Sequence, residues 1–175
     1  MLTALKEQLK TLVSDPADQF HLKIRKRVGK RATHILEKKL KQFILLMPIL
    51  VSQIHQHWNR QKSKSEIKKL GGFLLAYLYH PQDFISEAEQ GLFGYLDDAY
   101  LVAVVYEAVL KELIEAGEQL ESEDEKLCDE VKDLQRAATI VIPKEAEAIN
   151  QMVEEILEGK QSAFVGLFSE EGVGK

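Results

Sequence analysis

A single cysteine, Cys128, is all the thiol this chain has, so no intrachain disulfide can form and a disulfide-built secreted scaffold is excluded. A reducing, cytoplasmic setting is the expectation, and residues 1–10 interleave apolar and polar side chains rather than forming a secretory signal. Long apolar runs are missing as well. The longest spans residues 43–51 and contains Pro48, against the roughly 20 apolar residues that a membrane-spanning helix needs. It predicts a buried helix segment kinked or ended near Pro48, because proline lacks the amide proton and crowds the preceding turn.

Catalytic signatures are equally scarce. His21, His34, His55, His57 and His80 contain no His-Glu-x-x-His pair, and His55 and His57, two apart, point away from each other on a helix. Cys128 lies among acids that discourage a thiolate, and no serine-hydrolase elbow occurs. The ending Gly172-Val173-Gly174-Lys175 lacks the upstream glycine and the following Ser/Thr of a phosphate loop.

What the chain does have is enough apolar matter to fold. With 175 residues, 45% of them hydrophobic, one domain can bury a core without staples. Residues 1–159 read as that domain, with 160–175 as a poorly ordered tail. Leu2, Leu5, Leu9, Leu12 and Val13 form one helical stripe. Asp15 and Pro16 then suit the cap and first position of the next helix, which runs on from Phe20 through Met47 with a bend at Gly29. Residues 59–65 suggest a turn. The following helix, with Ile67, Leu70, Phe73, Leu74, Tyr77 and Leu78, is apolar over much of its circumference, and Gly71-Gly72 within it implies close approach by another backbone. His80 before Pro81 should stop it.

A second apolar helix carries Leu96, Ala99, Tyr100, Ala103, Val104, Leu110, Leu113 and Ile114. Ser122 and Glu125 have capping-box spacing ahead of an acidic helix. Thr139-Ile140-Val141-Ile142 is β-branched and suggests a short extended segment, after which Pro143 opens a last helix. The fold class expected is therefore all-α in the main, an irregular bundle of roughly five to seven helices.

Charge is segregated along the chain. Residues 1–70 hold 16 Lys+Arg against 5 Asp+Glu, a balance of +11; residues 71–175 hold 7 against 23, a balance of −16. The two halves can attract each other within the fold or offer opposite faces to partners. The run Lys23, Arg25, Lys26, Arg27, Lys30 and Arg31 is the strongest candidate for an anion-binding surface, with nucleic acid or an anionic membrane as the partner.

One motif stands out: Tyr77-Leu78-Tyr79-His80-Pro81-Gln82-Asp83-Phe84-Ile85, then Gly94-Tyr95-Leu96-Asp97-Asp98. A tyrosine-rich helix end, Pro-x-Asp-x-Ile and Gly-x-Leu-Asp-Asp opening an apolar helix resemble the YkvA-like bacterial domain of unknown function, with a core over residues 65–116. Ser86 stands where that family has a second proline. The resemblance implies a helical fold, sometimes at a membrane, and implies no reaction.

The motif's residues have a structural reading and a chemical one. Structurally, Asp83 takes backbone amides in an Asx-type turn, Asp97 and Asp98 meet the positive end of the following helix dipole, and Gly94 supplies backbone freedom. Chemically, Asp83, Glu87, Asp97 and Asp98 would converge on a hard cation such as Mg²⁺, with His80 as a further ligand, in a metal-dependent hydrolase. Without a complete catalytic constellation, the function favoured by the sequence is a non-enzymatic interaction or adaptor module, acting on a protein partner or on a second copy of itself.

Overall fold

The computed structural model describes residues 2–58, 65–78, 84–120 and 122–160. Every regular element among them is helical: α1 (Leu2–Ser14), α2 (Phe20–Val28), α3 (Lys30–Trp58), α4 (Ser65–Leu78), the one-turn α5 (Glu87–Gln90), a 3-10 turn (Gly91–Gly94), α6 (Tyr95–Glu115), α7 (Ser122–Val141) and α8 (Pro143–Leu157). The expected all-α bundle is what forms.

The centre is α6, whose buried residues run almost without interruption from Tyr95 to Val105, as its lack of a polar face demands. It contacts α3, α4, α7 and α8, and α3 makes the most extensive of these contacts. One continuous core joins Leu9 of α1 to Ile156 of α8.

Four local expectations are corrected. Residues 139–141 are not extended: they complete α7, with Val141 buried on its inner face and Thr139 bonding back to the Gln135 carbonyl. β-branched residues are only mildly disfavoured in a helix, and packing decides. The segment around Pro48 is buried helix as expected, but it is not ended there: α3 runs through Pro48 to Trp58, about 43 Å at 1.5 Å per residue. Asp15 does not cap a helix at Pro16. Its Oδ1 accepts the Ala17 amide in a turn, and α2 starts at Phe20, whose amide donates to Asp18 Oδ1. The bend at Gly29 is a full break, since its φ of 78° leaves the helical region.

The close approach at Gly71 comes from a side chain. A Cβ there would lie 1.8 Å from Trp58 Cε3, so Gly71 seats the indole ring, while Gly72 faces open space. Helix α4 is described as far as Leu78; His80 and Pro81, expected to stop it, lie outside the described residues, as do the turn expected over residues 59–64 and all but the first residue of the expected tail.

The charge halves meet inside the fold. Lys39 pairs with Asp133 at 2.6 Å, Gln42 bonds Glu130, and Arg27 reaches Glu145 at 3.4 Å. Residue numbers rise along α2–α3 as they fall along α7–α8, so the two stretches lie antiparallel with basic and acidic edges in register. At least part of the segregation is thus spent within the molecule.

Candidate functional site: a motif lock and an acidic apolar cleft

Asp97, on the first turn of α6 and fully buried, reaches back to the connection that precedes it. Its Oδ2 accepts the Tyr77 hydroxyl at 2.9 Å and the Ile85 amide at 3.2 Å, and the Tyr77 oxygen accepts the Phe84 amide at 3.4 Å. One carboxylate therefore ties the end of α4, the connection and the start of α6 together. Burial pushes the Tyr77 hydroxyl far above the usual tyrosine range, and the Asp97 charge adds to it. No side chain caps α6 at Gly94. Asp97 keeps its favourable place near the positive helix end, but its hydrogen bonds serve the connection.

Gly94 is likewise explained differently from the sequence reading. Its φ of −62° and ψ of −23° suit any residue. What it needs is the absence of a Cβ, which would lie 2.5 Å from the Glu87 Cα and 2.7 Å from the Glu87 amide nitrogen. The positive φ, 56°, belongs to Gly91. This contact clamps the short α5 onto the start of α6 and fixes where Glu87 stands.

Beside the lock lies a cleft of about 300 Å³. Leu2, Leu5, Met47, Val51, Leu75 and Leu78 supply aliphatic walls from α1, α3 and α4, and Gln8, Glu87, Tyr95 and Asp98 supply polar groups. Gln8 Nε2 donates to the Tyr95 hydroxyl at 2.8 Å, which holds α1 against α6. Asp98 is 3% exposed and lines the cleft from a buried position. The adjacent acids diverge in role: Asp97 faces the connection, and Asp98 lines the cleft. The described lining carries two carboxylates and no Lys, Arg or His.

Of the motif residues, Tyr77, Phe84, Ile85 and Asp97 build the lock, Gly94 seats α5, Leu96 is buried in the core, and Glu87, Tyr95 and Asp98 line the cleft. His80, Pro81 and Asp83 lie outside the described residues. Among the described residues no group of three or more His, Cys, Asp or Glu side chains is arranged to hold a metal ion.

The basic run divides. Lys23 donates to the Gln90 carbonyl at 2.6 Å, and Arg27 pairs with Glu145 and stacks 5.7 Å from the Phe93 ring centre, so both fasten α2 to its neighbours. Arg25, Lys26, Lys30 and Arg31 are exposed. Asp18 had no signal in the sequence, yet its Oδ2 accepts the Leu92 amide at 3.1 Å and joins α2 to the 3-10 turn. Gln8 was missed for the same reason: a lone polar residue on an amphipathic helix shows its partner only after packing.

No helix of the described residues is long and apolar enough to cross a membrane. No family model matches the chain, and no curated protein or solved structure matches it.

Proposed function

We propose that this protein is a non-enzymatic helical interaction module that captures an amphipathic cation in the cleft between α1, α3, α4 and α6, with a lysine or arginine side chain of a protein partner as its natural occupant. The observation that carries this is the lining itself: aliphatic side chains from α1, α3 and α4 share one cleft with Glu87 and Asp98. Apolar pockets with a few convergent polar groups are the usual places for ligands. Carboxylates accept strong, charge-assisted hydrogen bonds from the donors of a cation. A lysine fits both parts, because its stem is apolar and its head is charged. We also read residues 65–116 as a YkvA-like core, supported by motif residues serving one lock and one cleft.

The test is thermal melting of the full chain with hexylammonium, with hexanoate, and with magnesium chloride. Hexylammonium should raise the melting temperature as its concentration rises, by mass action, and hexanoate should not. Glu87→Gln and Asp98→Asn should each weaken that rise. Equal stabilisation by hexanoate would leave only an apolar cleft. A magnesium response lost in Asp98→Asn would favour the metal-dependent enzyme instead.

A further inference from the structure

A second groove, about 360 Å³, runs between α2 and the 84–93 segment. Leu22 and Phe84, from different elements, both line it and are 48% and 43% exposed. Lys23, Lys26 and Arg27 share the lining, and Arg25, Lys30 and Arg31 stand exposed on the same helix and the start of the next. A face needed only for solvation gains nothing from a half-exposed leucine and phenylalanine held among cations.

We propose that this face docks on an anionic lipid surface, with Leu22 and Phe84 entering the boundary between headgroups and acyl chains and the α2–α3 cations meeting the headgroup phosphates. Lipid surfaces are the partner that rewards both features at once, because apolar insertion and polybasic attraction add. Nucleic acid would reward the cations, while an aliphatic side chain such as Leu22 has no base-stacking plane to offer it.

Two acids also line the groove. Glu145 is paired with Arg27, which leaves Glu89 as the opposing charge. Lys23 is engaged by the Gln90 carbonyl, so Lys26, Arg25, Lys30 and Arg31 carry most of the attraction. The net charge of −5 does not forbid it. Antiparallel packing places the acidic first half of α7 beside the later part of α3, as Lys39–Asp133 and Gln42–Glu130 show, away from α2. Salt screens charges beyond about 8–10 Å.

Co-sedimentation of the full chain with phosphatidylcholine vesicles, with and without phosphatidylglycerol, tests this. Binding should require phosphatidylglycerol and weaken with added salt. Arg25→Glu with Lys26→Glu should lower it by about tenfold or more. Leu22→Ser with Phe84→Ser should lower it by about tenfold while keeping the salt dependence. Arg25, Lys26 and Leu22 are exposed, while the half-exposed Phe84 ring lies 6.2 Å from the Tyr77 ring, so circular dichroism and a thermal melt accompany each variant to show intact fold, and Lys132→Glu on α7 should bind as the parent does. No binding at low salt would overturn the proposal. So would binding indifferent to the Leu22/Phe84 pair, or equal competition by duplex RNA at the same phosphate concentration, either of which marks a plain polyanion surface.

Discussion

Tyr77 and Asp97, twenty residues apart, share a buried hydrogen bond of 2.9 Å that closes the connection between two apolar helices. Because the same Asp97 oxygen also takes the Ile85 amide, the phenol is one of the donors that keep this carboxylate satisfied in the core. Removing the hydroxyl in Tyr77→Phe should cost about 1–3 kcal/mol in urea unfolding, the range for a buried polar partner left short of a bond. A variant as stable as the parent would mean that the lock is not formed.

The same bond gives the protein an alkaline limit. An unfolded tyrosine loses its proton near pH 10. In the folded state burial and Asp97 raise Tyr77 well above that, and Tyr106, raised by burial and then by Asp124 and Cys128, reaches about 12. Above pH 10 the unfolded state therefore holds fewer protons, and stability falls as pH rises. Each such tyrosine contributes at most about 1.4 kcal/mol per pH unit. Urea midpoints between pH 9 and 11 should show that decline, and Tyr77→Phe should make it shallower.

Three glycines give opposite outcomes for one substitution. Gly94→Ala drives a methyl into Glu87 backbone and Gly71→Ala drives one into the Trp58 ring; each should destabilise by about 1–3 kcal/mol. Gly72→Ala meets nothing within 4 Å on a helix interior and should stabilise by roughly 0.5–1 kcal/mol. Thermal melts of the three variants check the order.

The cross-half ion pairs should contribute little individually. Lys39 and Asp133 are both well exposed, and a double-mutant cycle to alanine should return a coupling below about 1 kcal/mol that shrinks with salt. They mark the antiparallel register in which the acidic first half of α7 lies beside the later part of α3.

Helices were legible wherever an apolar stripe persisted, as from Leu2 to Val13 and from Ile149 to Ile156, because periodicity reports the buried face directly. Pro143 at the first position of α8 was legible for a local reason, its missing amide. Residues 139–141 misled because local preference there is outweighed by burial of Val141, and Pro48 gave the buried helix but not its continuation to Trp58. Gly94 was noticed with the wrong cause: backbone freedom and close approach leave the same letter in a sequence. The motif marked the start of α6, but the cleft beside it was not legible. Its walls come from α1, α3 and α4, and only packing brings Leu2, Met47 and Leu75 to Glu87 and Asp98.

The cleft's role is tested most directly by two-dimensional NMR of the full chain titrated with hexylammonium. The account predicts saturable shifts concentrated at Leu5, Gln8, Val51, Leu75, Tyr95 and Asp98, and their loss in Asp98→Asn. Shifts spread instead over the exposed acids of α7, such as Glu123 and Asp129, or no saturable shift at the cleft, would contradict it.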